Sequence, residues 1–249
     1  MKIIAHRGAS AVAPENTLAA VRLAAQAAAH GVEIDVRLTR DGQLAVIHDT
    51  DTRRVAPGQP VNTVKRQRLA DLQKLDVGSW KDPKFSAERI PALGEVLAAL
   101  GPEQEIFIEL KSREFEGIFP ALEQLLSPPA ANGFSAARAV VMSFEEKLIR
   151  KIKKKRPDWR TLLLLNHRPT THVFGQIVSA IRAKYINGIG QNRTWAMSDD
   201  DYTELQDAGA ILSVWTVNDL HELPAWQKRG FHYLTSDRPE VFLKATSSA

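Results

Sequence analysis

Strand and helix patterns alternate along nearly all of this 249-residue chain. Short runs rich in Ile, Val and Leu predict strands over 2–5, 32–38, 106–110, 139–142, 161–165, 185–189, 211–217 and 232–234. Between them, segments with helical spacing predict helices over 17–30, 92–100, 117–126, 145–155, 173–183, 199–208 and 220–229. Asn16 or Thr17 suits the cap of the first helix. Proline or glycine punctuates many of the breaks, and a loop is expected at Pro128-Pro129. A chain alternating this way must cover both faces of a parallel sheet with helices, and about eight strands close most simply into a (β/α)8 TIM barrel. The expected fold class is therefore α/β, with one barrel domain over 1–249.

One stretch breaks the alternation. After the turn Asp41-Gly42 and a short strand over 44–47, residues 49–90 are polar and turn-rich (Pro57-Gly58, Pro60, Asp82-Pro83). Their apolar anchors are 69–75 and Trp80. This predicts a small insertion after the second strand, lying over one end of the barrel as a lid. The C-terminal tail, 244–249, is small and polar and is expected to be loose.

Three of the strands carry charge where a core strand should be apolar. In Val32-Glu33-Ile34-Asp35-Val36 the two carboxylates share one face, and in Ile108-Glu109-Leu110-Lys111 so do Glu109 and Lys111. The third, Ile3-Ile4-Ala5, runs into His6-Arg7-Gly8, where Gly8 suits a sharp turn. Buried carboxylates need a compensating positive charge. Glu33, Asp35 and Glu109 fit the ligands of an oxygen-preferring divalent ion, Mg²⁺ or Ca²⁺, and salt bridges to Arg7, Arg37 or Lys111 are the alternative. With no cysteine in the chain, thiolate metal sites, disulfides and a cysteine nucleophile are excluded.

His6 and His48 each follow an apolar run and so stand at strand exits, where barrel chemistry sits. They suit a proton-transfer pair; two structural histidines would leave the same pattern. Arg7 and Lys111 supply fixed positive charge for a phosphoryl group, or simply neutralise the carboxylates. Trp215 either walls the pocket or belongs to the core. Glu15 reads as part of a helix entry, or as a group orienting a ligand or a histidine. His30, at a helix end, looks placed to complement the dipole.

Charge elsewhere points to little. The formal net charge of +4 is compatible with an anionic substrate. The basic run 150–156 ends at Pro157 and lacks interleaved aromatics, which fits the last turns of a helix rather than a nucleic-acid surface. No run approaches the ~18 apolar residues that span a bilayer, so no membrane insertion is expected. With no secretory leader ahead of the first strand, the expected location is cytoplasmic.

In order along the chain, His6-Arg7-Gly8, Pro14-Glu15-Asn16-Thr17, Glu33-Ile34-Asp35-Val36, Thr39-Arg40-Asp41-Gly42 and Val46-Ile47-His48-Asp49 resemble the glycerophosphodiester phosphodiesterase family. Leu75-Asp76-Val77-Gly78-Ser79-Trp80, Ile108-Glu109-Leu110-Lys111, Ser143-Phe144, Trp215-Thr216-Val217-Asn218 and Thr235-Ser236-Asp237-Arg238-Pro239 continue the likeness. The ordered set is far more specific than any one motif. The resemblance implies metal-dependent cleavage of a small glycerophosphodiester to glycerol 3-phosphate and an alcohol. It implies Glu33, Asp35 and Glu109 as ligands, His6 and His48 as the acid/base pair, and Arg7 and Lys111 on the phosphate. It also implies a first attack by the substrate's own glycerol hydroxyl, giving a cyclic phosphate. Residues 166–197 show no family motif, and 49–54 depart from the usual segment after the histidine. A related barrel acting on intact lipids and a metabolite-binding barrel without activity are the rival expectations.

Overall fold

A computed structural model describes residues 1–111, 115–127 and 134–247. The loop expected at Pro128-Pro129 and the last two residues of the tail lie outside the described residues. The strands are β1 (Lys2–His6), β2 (Gly31–Leu38), β3 (Leu44–Val46), β4 (Glu105–Leu110), β5 (Ala139–Ser143), β6 (Arg160–Leu165), β7 (Gly188–Asn192), β8 (Ile211–Trp215) and β9 (Tyr233–Ser236). Short β3 runs antiparallel along β2. The others lie parallel in the order β1-β9-β8-β7-β6-β5-β4-β2, and pairing of β1 with β2 closes the ring. The fold is the (β/α)8 barrel that the alternation predicts. Its helices are α1 (Leu18–Gln26), α2 (Leu69–Leu72), α3 (Leu93–Ala99), α4 (Phe115–Leu126), α5 (Glu146–Lys155), α6 (Thr171–Arg182), α7 (Asp199–Asp207), α8 (Leu223–Lys228) and α9 (Pro239–Ser247).

Several boundaries differ from expectation, each for a local reason. Thr17 caps α1, its side chain accepting the Ala20 N–H. The helix then stops short of His30, because the amides of Ala27 and Ala28 close back onto Leu23 and Ala25 and Ala28 takes a left-handed φ of 58°. His30 does not serve the helix dipole; its Nδ1 accepts the backbone N–H of Ile3 at 3.1 Å. The seventh strand begins three residues later than its apolar run suggested. Tyr185 is exposed, and Gly188 opens the strand because a Cβ there would overlap the Ile211 carbonyl of β8. The helix expected over 220–229 is a 3₁₀ turn followed by α8, with Pro224 near its start. The tail is not loose up to Ser247: α9 buries Phe242 completely. The basic run does close α5, and Lys153 folds back to donate to the carbonyls of Pro157 and Trp159.

Three apolar clusters organise the interior. The largest lies between the strands and the helices, around residues such as Val21, Ile34, Leu122, Ile149 and Leu212. A second fills the barrel, with Ile4, Phe107, Val140, Leu162 and Tyr233. The third gathers Ile47, Val55, Ala56, Val64, Leu69, Leu72 and Leu75 beside β3, so segment 49–90 packs around apolar residues of its own. Trp80 is not among these anchors; it is 39% exposed and its Nε1 donates to Val77. No helix of the described residues is long and apolar enough to cross a membrane.

Strand register prepares the barrel mouth. Across β1 and β2, His6 is level with Glu33, and across β2 and β4, Asp35 is level with Glu109.

Candidate active site

The C-terminal ends of the strands surround a cavity of about 400 Å³ lined by His6, Arg7, Glu33, His48, Glu109, Lys111 and Trp215, with Asp35 buried beneath it. The fold thus brings every residue singled out for chemistry to one place. A larger surface groove of about 790 Å³ runs past Arg150, His172 and Tyr185. Its carboxylate, Glu146, is already paired with Arg150.

Carboxylate oxygens of Glu33, Asp35 and Glu109 lie within 4.8 Å of one another and are buried. Lys111 Nζ pairs with Asp35 Oδ1 at 3.2 Å and Glu109 Oε1 at 2.6 Å, and Arg7 Nε with Asp35 Oδ2 at 3.0 Å. Of the salt bridges set against the metal in the sequence, those to Arg7 and Lys111 exist, while Arg37 gives its Nε to the His48 carbonyl at 2.7 Å; the pairs leave the cluster unbalanced. Burial, joined by the neighbouring Asp35 charge, pushes the carboxyls of Glu33 and Glu109 above the usual range. Burial opposes ionisation of Asp35 too, but Arg7 and Lys111 outweigh it and hold that carboxyl low. Among the described residues, Asp35 Oδ1 and Glu109 Oε1 find no hydrogen bond beyond these ion pairs. Hard, buried oxygens with spare lone pairs form a group able to hold a divalent ion.

The imidazoles are alike in their support. His6 Nδ1 meets Asp237 Oδ1 at 2.7 Å, and His48 Nδ1 meets Asp49 Oδ1 at 2.7 Å. A carboxylate on Nδ1 fixes the proton there and leaves Nε2 for chemistry. His6 Nε2 is 3.9 Å from Glu33. Burial lowers the His6 pKa, but the Asp237 bond and the Glu33 charge more than reverse it, whereas burial prevails at His48 and lowers it.

Asp237 and Asp49 drew no role in the sequence. Asp237 follows β9, which pairs with β1, so barrel closure was the signal that could have matched it to His6. It is steadied by Asn218 Nδ2 at 2.6 Å and Ser10 Oγ at 2.9 Å. Asn16 is not the α1 cap; with a left-handed φ of 58° it gives Nδ2 to Asp35 Oδ2 at 2.8 Å. Among the described residues Glu15 bonds to no histidine; it pairs with Arg7 at 2.8 Å and with Arg54 at 2.6 Å. Trp215 walls the cavity with Phe144 edge-on at 5.7 Å, and also packs on the barrel interior, so both of its readings hold. Asn166, from the segment without motif, completes the wall.

A barrel mouth that joins clustered carboxylates, aspartate-backed imidazoles and fixed cations defines an enzyme site for an anionic substrate. The chain matches the model of the glycerophosphoryl diester phosphodiesterase family over residues 6–241. It is 35% identical over 252 residues to YhdW of Bacillus subtilis (strain 168), spanning 98% of this chain and 97% of that one. It is 30% identical over 244 residues to the glycerophosphodiester phosphodiesterase of Caldanaerobacter subterraneus subsp. tengcongensis, spanning 97% and 96%. Among solved structures, an Oleispira antarctica phosphodiesterase in complex with the product sn-glycerol-3-phosphate superposes with a TM-score of 0.87 at 26% identity, covering 99% of this chain and 97% of that one. The chain belongs to the glycerophosphoryl diester phosphodiesterase family, and with it is a phosphoric diester hydrolase.

Proposed function

We propose that this barrel, with 49–90 as an insertion in a single domain, hydrolyses small glycerophosphodiesters to glycerol 3-phosphate and an alcohol, using a divalent metal and histidine acid/base catalysis. The observation that carries this reading is the convergence of three buried carboxylates and two aspartate-backed imidazoles on one cavity. Glu33, Asp35 and Glu109 would hold the ion. A divalent cation there would polarise the phosphoryl oxygens and offset the carboxylate charge.

The chain's own groups do the rest. Arg7 and Lys111 face the cavity and draw in the phosphodiester, besides pairing with Asp35 and Glu109. With Nδ1 held, the Nε2 of one histidine takes the proton of the attacking hydroxyl and the other protonates the departing alcohol. Phe144 and Trp215 keep water from one side of the cavity.

Release of glycerol 3-phosphate from several glycerophosphodiesters, followed with and without EDTA, tests the reading. EDTA should abolish turnover and Mg²⁺ or Ca²⁺ restore it; full turnover in metal-depleted buffer would refute the ligand assignment. His6→Ala and His48→Ala should each lose on the order of 10²-fold in kcat while folding normally. Near-native kcat in either purified variant removes that residue from the mechanism.

A further inference from the structure

Arg54 lies outside the cavity, yet its three guanidinium nitrogens are all engaged. NH1 and NH2 grip the Glu15 carboxylate as a fork at 2.6 and 2.8 Å, and Nε holds Asp49 Oδ2 at 2.7 Å. The other oxygen of Asp49 holds His48 Nδ1 at 2.7 Å, and Glu15 Oε1 holds Arg7 NH1 at 2.8 Å. The guanidinium thus stands one carboxylate away from a proposed proton-transfer group on one side and from a proposed phosphate-binding cation on the other.

An exposed ion pair is ordinarily worth little. This one differs in three ways. Its geometry is bidentate, which fixes direction as well as distance. Its two carboxylates are only 15% and 29% exposed. Its backbone is tied down, since Val55 and Ala56 are buried in the third cluster, Thr52 is fully buried, and Ala56 N donates to Thr52 O at 2.9 Å. Without Arg54, Glu15 and Asp49 would be unbalanced carboxylates beside the groups they orient.

We infer that Arg54 is a positioning residue that sets both halves of the site at once, fixing His48 through Asp49 and Arg7 through Glu15. The inference rests on the roles proposed above for His48 and Arg7. Segment 49–90 thereby acquires a role in the chemistry, because it delivers one guanidinium to the rim from a packed base. Loss of the Asp49 arm misorients the imidazole and acts on kcat. Loss of the Glu15 arm frees Arg7 and leaves a carboxylate near the phosphate, and so acts on KM.

Steady-state kinetics on metal-loaded Arg54→Ala, with its melting temperature, tests this. The folded variant should show kcat lowered and KM raised, each on the order of 10-fold. In an Asp49→Asn background the same substitution should still raise KM but lower kcat no further; in a Glu15→Gln background it should still lower kcat but raise KM no further. Arg54→Lys keeps the charge without the fork and should recover one parameter, not both. If Arg54→Ala does not fold, the lysine variant decides. A folded variant with native kcat and KM, a lysine variant native in both, or losses undiminished in both backgrounds would overturn the inference. Inactive His48→Ala and Arg7→Ala enzymes beside an indifferent Arg54 would sink this inference alone. A fully active His48→Ala would sink the acid/base reading beneath it.

Discussion

Strand β4 carries a glutamate at each end, and the two have opposite fates. Glu105, at the floor of the barrel, and Glu109, at the mouth, share the inward face of one strand and are almost equally buried, at 7% and 8% exposure. Glu105 receives Lys2 Nζ at 2.8 Å, Arg160 NH1 at 2.6 Å and the Tyr233 hydroxyl at 3.2 Å. Burial works against its charge, but Lys2 and Arg160 win and hold its carboxyl below the usual range. Glu109 has Lys111, shared with Asp35, and burial with the Asp35 charge wins instead. The floor is a finished ion network and the mouth an unfinished one. Residue type and strand position do not separate structural from functional carboxylates here; the completeness of their partners does.

Substitution at the two ends should therefore separate activity from stability. Because Glu109 is a ligand of the proposed ion, which would supply several kcal/mol to the transition state, Glu109→Gln should lower turnover on the order of 10³-fold while leaving the melting temperature unchanged or higher. Glu105→Gln should do the reverse, costing about 2 kcal/mol of unfolding free energy in denaturant while the folded enzyme keeps its kcat. Equal effects of the two on activity would erase the contrast.

The smallest expected effect is in pH. A carboxyl raised in the folded state holds its proton where the unfolded chain has released it, so Glu33 lowers stability as pH rises above the ordinary carboxylate range. Glu33→Gln should thus gain on the wild type in EDTA between pH ~5 and ~8, by a few degrees of melting temperature. Glu105 has the opposite sign: its contribution is present above the unfolded pKa and lost as pH falls through the lower folded value. A constant difference between Glu33→Gln and wild type across that range would mean that the mouth is as well compensated as the floor.

Much of this was legible in the sequence. Alternating strands and helices announce the barrel, and period-two charges in β2 and β4 announce the carboxylates, because both depend on neighbours along the chain. What stayed hidden depends on closure. His6 and Asp237 are 231 positions apart, and Arg54 meets Glu15 across 39. Asp49 directly follows His48, but its contact gives no periodic signal. Tyr185 and Ile186 misled by their apolar character, while the close approach of β8 makes Gly188 the first residue of the strand. Phe242 showed no partner until α9 folded onto β1.

The completed network at the floor also governs traffic. Glu105, Arg160 and Tyr233 tie the lower end of the barrel together, so in the reading proposed above substrate would arrive and both fragments would depart by the mouth. The neutral or cationic alcohol would have little to detain it, whereas the anionic fragment would leave past the guanidinium and ammonium proposed to draw the diester in. Glycerol 3-phosphate should accordingly compete with fresh substrate for the vestibule, and turnover at high conversion should slow as it accumulates.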